Sequence, residues 1–281
     1  MTEPAALLGM SALVTGGGSG IGLACAYRLA EDGAAVTICG RTEQRLRSAA
    51  DEIGRAGPGP VMWISCDVTD EAQVAAAVAA AGDNGGGRLD IVVACAGGST
   101  HMGPIAVSDS AAWRATIELN VMGTFLTIKH AAPALARQGG GSIVAISSIA
   151  SPRSHRYLSA YSVGKAGIDM LVRVAADELG ASRVRVNSVR PGLVDTDMVS
   201  SITGTPAVLH DYLDQMPLRR VGTVEDIAAA VRFLAGPEAT WITGQCLGVD
   251  GGHALRRGPD YTAFAEPVWG ADALRGLLPE S

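Results

Sequence analysis

Ser11-Ala12-Leu13-Val14-Thr15 runs directly into Gly16-Gly17-Gly18-Ser19-Gly20-Ile21-Gly22, and a helix-periodic stretch, Gly20–Asp32, follows. The first five residues read as a buried strand. Gly16, Gly20 and Gly22 then give the spacing T-G-x-x-x-G-x-G, with Gly18, Ser19 and Ile21 completing the turn. Glycine lets the backbone reverse sharply and come close to a pyrophosphate. The helix that opens behind it offers free N–H groups and the positive end of its dipole to the anion. In a chain with so much glycine the bland reading is a tight turn, but the strand before and the helix after point to a phosphate-binding turn. A P-loop is excluded, because no Lys-Ser or Lys-Thr follows the glycines. A hydrolase nucleophile elbow fails too, since Ile21 stands where its second glycine is required.

Outward from this unit the pattern repeats. Further strands are expected at Ala35–Cys39, Val61–Cys66, Ile91–Cys95, Ser142–Ser147, Arg183–Val189 and Gln245–Val249. Helices are expected at Glu43–Arg55, Glu71–Ala81, Trp113–Arg137, Ala160–Gly180 and Val224–Ala235, with Thr69 and Thr223 as N-caps. Nearly continuous β-branched runs alternating with helices predict an α/β fold, a doubly wound parallel sheet of about seven strands with helices on both faces. No Pro/Ser-rich linker or charge block divides the chain, so residues 1–252 read as one catalytic domain and 253–281 as an extension.

Composition narrows the function. The chain has 281 residues, 48% hydrophobic and 18% charged, which excludes a disordered protein. A net charge of −6 and only 4% aromatic residues argue against nucleic-acid binding. The apolar runs are too short for a membrane span, and Met1–Met10 has no basic region of a secretory signal. The five cysteines, Cys25, Cys39, Cys66, Cys95 and Cys246, form no C-x-x-C pair and fit buried thiols in a reducing cytoplasm. No metal site is expected.

Only two lysines occur, Lys129 and Lys165, and Lys165 lies four residues after Tyr161. On a helix that spacing puts phenol and ammonium on one face. The ammonium favours phenolate and should lower the tyrosine pKa, making a general acid or base for an alcohol/ketone pair; an exposed helix pair is the bland alternative. Ser148 ends the fifth strand, where parallel sheets place ligands, or is an ordinary strand-end cap. Asn120 sits inside a helical apolar pattern, where asparagine is a poor choice; it binds water or a backbone carbonyl, or is a satisfied core amide.

Together these residues resemble the short-chain dehydrogenase/reductase family over about Ala6 to Gly252. The resemblance rests on Thr15–Gly22, Asp67-Val68, Asn120, Ser148, Tyr161 with Lys165, Pro191-Gly192 with Thr196, and Ile242–Gln245 leading into Val249–Gly252. It implies a Rossmann-type fold and a nicotinamide cofactor. By the same resemblance, Tyr161 is the proton donor, Lys165 holds the nicotinamide ribose, Ser148 polarises the substrate oxygen, and Asn120 maintains a proton-relay water. Asp67 and Val68 would contact the adenine, and Ala96, Gly97, Pro191, Gly192, Val194 and Thr196 would line the cofactor. Where the family usually has Asn-Asn-Ala-Gly, this chain reads Ala94-Cys95-Ala96-Gly97, which removes asparagines that brace the central strands.

The end of the second strand carries Cys39-Gly40-Arg41 and no carboxylate. A ribose-binding acid is therefore missing and a guanidinium is available to a 2′-phosphate, so NADP(H) is the preferred cofactor, with NAD(H) possible if Arg41 only stacks on the adenine. The expected reaction is hydride transfer between the cofactor and a carbonyl or secondary alcohol. One alternative is reduction of an enoyl thioester, because Gly40–Leu46 looks like the matching stretch in fatty-acyl thioester reductases of the family. The other is a non-catalytic dinucleotide-binding regulator, which would be expected to lack Tyr161 or Lys165.

Substrate walls are expected at Gly98–Met102, Ser151–Leu158 and the apolar, mobile-lid segment Val194–Met216, suiting an apolar small molecule. Arg153, His155 and Arg156 could meet an acidic substrate or are solvated loop charges; His101 and His155 read as surface histidines. The family commonly forms homotetramers through the helices carrying Asn120 and Tyr161. The tail is dense in apolar residues (Leu255, Tyr261, Phe264, Val268, Trp269, Leu274, Leu277, Leu278), while Pro259, Pro267 and Pro279 forbid one long helix. It is expected to wrap over its own substrate lid or a partner's, or simply over the core, with at most a short helix near Asp272–Leu278.

Overall fold

A computed structural model describes residues 6–277, apart from 100, 257 and 259 and the side chains of 198 and 201. Met1 to Ala5, Pro259, Leu278 and Pro279, on which parts of the sequence reading fall, lie outside it. Seven strands form one parallel sheet: β1 (Ser11–Thr15), β2 (Ala35–Gly40), β3 (Val61–Ser65), β4 (Ile91–Ala94), β5 (Gly141–Ile146), β6 (Val184–Pro191) and β7 (Cys246–Val249). Their order is β3-β2-β1-β4-β5-β6-β7. The register pairs Thr15 with Cys39 on one side and with Ala94 on the other. β1 and β4 are buried throughout, as a central parallel strand covered on both faces must be.

The helices are α1 (Gly20–Glu31), α2 (Glu43–Ile53), α3 (Glu71–Asn84), α4 (Ser110–Ile117), α5 (Gly123–Arg137), α6 (Ser159–Leu179), α7 (Ser200–Thr203), α8 (Pro206–Gln215), α9 (Val224–Ala235) and α10 (Thr262–Leu274). One face of the sheet carries α1, α2 and α9, whose Leu29, Leu46, Ile227 and Val231 join Val14, Ile38 and Val93. The other carries α3, α5 and α6, whose Val78, Leu135, Ile168 and Val172 join Leu13, Val92 and Ile143. Across the rim of this second layer, Glu71 of α3 binds Lys129 at 2.5 Å and His130 at 3.0 Å, both on α5. Among the described residues no helix is long and apolar enough to cross a membrane. The five cysteines are free thiols, three of them buried.

Several local expectations are corrected. Asp70, not Thr69, caps α3, its carboxylate accepting from the N–H groups of Ala72 and Gln73. Thr223 does cap α9, in a reciprocal box with Asp226. The single helix expected from Trp113 starts earlier, at Ser110 behind the Asp109 cap, and is interrupted by a π-helical turn at Glu118–Met122. In the tail, the helix begins at Thr262 rather than near Asp272. The Asp260 carboxylate starts it by accepting the Thr262 N–H at 2.9 Å and hydroxyl at 2.6 Å. It continues past Pro267 and breaks at Gly270, where φ is +78°.

A third apolar cluster lies off the sheet, joining Ile149, Leu193, Val208, Tyr212, Met216 and Tyr261. His155, expected on the surface, is buried beside it, only 6% exposed. Its Nδ1 donates to the Arg153 carbonyl at 3.3 Å, and its Nε2 has no partner among the described residues. Burial, with some help from nearby His253, pushes the imidazole pKa down to about 4, against the pull of the Arg153 carbonyl. The unfolded chain, with an ordinary histidine pKa of about 6.5, therefore binds more protons between these values. This histidine's contribution to stability is present above about pH 6.5 and is lost as pH falls toward 4. In His155→Gln the unfolding midpoint should fall less steeply than in the wild type between pH 6.5 and 5, read by thermal denaturation. Parallel curves would show that His155 is not buried neutral.

Candidate active site

The glycine turn leaves β1 at its C-terminal end, where the strand order reverses between β1 and β4. The Thr15 Oγ1 accepts from the backbone N–H groups of Cys95 at 3.0 Å and Ala96 at 3.1 Å. These bonds brace the end of β4 from β1. Gly16 lies so close that a Cβ on it would sit 3.0 Å from the Ala96 Cα, and a Cβ on Gly22 would sit 2.2 Å from the Gly16 carbonyl oxygen. Ser19 is the extended N-cap of α1, and its side chain makes no capping bond. The first-turn N–H groups of α1 are thus left for an anion, the donor set a pyrophosphate needs.

From this turn a cleft of about 1170 Å³ runs along the sheet edge. Gly16, Gly18, Ser19, Gly20 and Ile21 line one part, and Arg41, Asp67 and Val68 flank it beyond β2 and β3. Ala96 and Gly97 form its floor; Pro191, Gly192, Val194 and Thr196 face them, and Ser148, Tyr161 and Lys165 close the far end. The size, the uncapped helix terminus and the glycine-lined floor fit a dinucleotide. The Asp67 carboxylate accepts the N–H and hydroxyl of Thr69 at 3.0 and 2.8 Å. Those bonds, the backbone one first, hold its pKa below the usual range, with a further pull from Arg41. Arg45, in the first turn of α2, also lines the cleft and was not anticipated.

At the catalytic end, Ser148 follows β5 and its Oγ accepts from the Ala150 N–H at 3.1 Å, which leaves the hydroxyl proton free to donate. Tyr161 and Lys165 rise one turn apart from α6. The Lys165 Nζ lies 5.5 Å from the centre of the Tyr161 ring and donates to the Ile146 carbonyl at 2.8 Å. Burial lowers the lysine pKa to about 8, with Cys95 and Asp169 pulling it back up. For Tyr161 the net direction is opposite to that expected from the ammonium alone. Burial raises its pKa, and the hydrogen bond with Ser148 only partly opposes it. The phenol is therefore protonated near neutral pH, the form a proton donor needs.

Asn120 does not line the cleft. It is fully buried in the π-turn, and its Nδ2 donates to the carbonyls of Gly98 and Thr116, both at 2.7 Å. Its Oδ1 accepts from the Gly98 N–H at 3.3 Å. The side chain thus pins the Gly97-Gly98 loop behind Lys165, as one of the carbonyl-binding readings anticipated. Asp169, overlooked in the sequence, anchors the other side of α6. It accepts from the hydroxyls of Ser151 and Ser188 and from Arg190 Nε, the last two at 2.8 and 2.7 Å. Burial opposes its charge, but these donors outweigh it and hold the carboxyl below its ordinary range. Its spacing, four residues after Lys165, was the available signal.

Comparison with known proteins agrees with this geometry. A family model described as enoyl-(acyl carrier protein) reductase matches residues 16–254. Cis-4-hydroxycyclohexanecarboxylate dehydrogenase of Sinomonas cyclohexanicum is 41% identical over 86% of this chain and 95% of its own. A solved short-chain type dehydrogenase/reductase from Mycobacterium ulcerans is 49% identical and superposes with a TM-score of 0.95, over 97% of this chain and all of that one. A 7α-hydroxysteroid dehydrogenase complexed with NADH and 7-oxo glycochenodeoxycholic acid is 35% identical, with a TM-score of 0.84, over 90% of this chain and 97% of that one. With its doubly wound sheet, its dinucleotide cleft and its Ser148, Tyr161 and Lys165, this chain belongs to the short-chain dehydrogenase/reductase family of NAD(P)-dependent oxidoreductases.

Proposed function

We propose that the enzyme interconverts a secondary alcohol and its ketone on a small, largely apolar, cyclic substrate. The observation that carries this reading is the convergence of Ser148, Tyr161 and Lys165 at one end of the dinucleotide cleft. Two of the relatives described above are named for ring alcohols, hydroxycyclohexanecarboxylate in one case and a hydroxysteroid in the other. The family model's description names an enoyl reductase, but a carbonyl oxygen is what a serine hydroxyl and a protonated phenol together can hold. A bound nicotinamide supplies the hydride. Ser148 donates to the substrate oxygen and fixes its position. Tyr161 gives its proton to that oxygen in reduction and takes it back in oxidation. Lys165, steadied by the Ile146 carbonyl, binds the cofactor's ribose and stabilises the phenolate left behind. Asn120 keeps the Gly97-Gly98 loop in place and, in our reading, supports a relay of protons to Lys165.

Residues 1–252 would form the catalytic unit, with 253–281 as its extension. We place the enzyme in the cytoplasm, a reading supported by its unpaired cysteines. NADP(H) is the proposed cofactor, because Arg41 and Arg45 border the cleft beyond β2 and no carboxylate ends that strand. NAD(H) is the second reading, favoured by the NADH found with the 7α-hydroxysteroid dehydrogenase. A homotetramer is proposed because α6 exposes Val163, Met170 and Val174 at helical spacing, with Phe125 of α5 beside the same layer.

Three outcomes test these assignments. Tyr161→Phe should bind cofactor normally, by fluorescence titration, while turnover of a ketone panel falls about 100-fold or more. Near-normal turnover would remove Tyr161 from the proton step. Arg41→Ala should lower kcat/KM for NADPH about tenfold or more and change that for NADH less than about twofold. A wild type that favours NADH would overturn the NADP(H) assignment. Met170→Asp should reduce the solution mass measured by light scattering, whereas an unchanged mass would exclude this helix face from the interface.

A further inference from the structure

The C-terminal extension packs against Gly103, the loop before α6 and helix α8. Its Trp269 ring packs on Gly103, where a Cβ would lie 3.0 Å from the indole. Its Gly258 crosses the loop before α6 so closely that a Cβ there would lie 2.7 Å from the Ser154 carbonyl oxygen. Its Tyr261, 3% exposed, enters the cluster of Ile149, Leu193, Val208, Tyr212 and Met216. Ile149 directly follows Ser148, and Leu193 follows the Pro191-Gly192 segment that borders the cleft. Val199, which lines the cleft, packs against this cluster, so the cluster lies next to the cleft.

Inside it the hydroxyl of Tyr261 meets the hydroxyl of Tyr212, from α8. The two rings stand edge to face, 6.2 Å apart at 80°, and His253 closes the other side of Tyr212 at 5.3 Å and 75°. Two phenols own two protons, and the bond between them uses one. Neither phenol oxygen has another hydrogen-bond partner among the described residues. The remaining proton thus has no acceptor among the described residues, and a buried donor left unmet costs stability. Burial raises both phenol pKa values, that of Tyr261 to about 12, so the pair stays protonated, and both phenols lie within electrostatic reach of Tyr161.

We propose that the Tyr212–Tyr261 phenol pair is a second oxygen-binding subsite, which selects ring alcohols or ketones carrying a further hydroxyl or oxo oxygen away from the reacting carbon. The proposal deepens the alcohol/ketone reading and rests on it for the placement of the reacting oxygen. The pair joins the lid helix to the extension, so both residues determine specificity without touching the reacting atoms.

The test is calorimetric binding of cyclohexane-1,4-diol and of cyclohexanol to the full-length enzyme saturated with reduced cofactor, a dead-end pairing in which neither alcohol can react. The wild type should bind the diol about tenfold more tightly than cyclohexanol, as one additional buried hydrogen bond provides. Tyr261→Phe and Tyr212→Phe, which keep the rings, should each bring the two affinities together while cyclohexanol binding stays within about twofold. Equal affinities in the wild type, no diol binding, or a preference that survives both substitutions would overturn the subsite. Turnover with oxidised cofactor separates this from the parent reading. Alcohols that bind with the expected preference but are never oxidised would leave the subsite standing and remove the alcohol/ketone assignment.

Discussion

Two backbones meet at the point where the strand order reverses, the end of β1 at Thr15-Gly16 and the end of β4 at Cys95-Ala96. A threonine hydroxyl takes both N–H groups that β4 would otherwise leave unmet as it departs the sheet. A glycine lets the chains come within contact distance. This close approach fixes the floor on which a dinucleotide can lie, and the remaining site residues are placed relative to it. Gly97 follows on the same segment and is pinned by Asn120, which ties the floor to the long helical layer and to Lys165 behind it.

That layer explains why so many polar groups are buried at one end of the molecule. Lys165 is 4% exposed: burial lowers its pKa, Cys95 and Asp169 oppose that, and its ammonium donates to the Ile146 carbonyl. Asp169 in turn keeps its charge through two serines and Arg190. A buried charge without such partners would neutralise or unfold its surroundings. The chain of partners runs from β5 through α6 to β6, so the orientation of the catalytic helix is set by the sheet itself rather than by a loop.

Much of this was legible in the sequence because its causes are local. A β-branched run, a glycine-rich turn and a helix start are written within a dozen residues, and β1 and α1 begin where they were expected. The pairing of Tyr161 with Lys165 needed only helical spacing. What escaped depends on contacts distant in sequence. The π-turn at Glu118–Met122 exists where Asn120 reaches Gly98, 22 residues away. His155 looked like a loop histidine until the folded extension covered its neighbourhood. The direction of the Tyr161 pKa shift depends on walls that desolvate it, which no i,i+4 rule contains. Pro267 looked like a helix breaker, yet it is exposed, so water can serve the carbonyl its ring leaves unbonded.

The salt bridge between Glu71 and Lys129 on the rim of the second layer has a practical meaning. Lysine occurs twice in this chain, and Lys165 is shut inside. Lys129, about half exposed, is the one side-chain amine open to solvent, and it does not border the cleft. An amine-reactive dye, tether or resin will find a single lysine side chain, so the α-amino group is its one competitor, and the ordinary pKa values of the two amine types, about 10.4 and about 8, let pH steer a label toward one or the other.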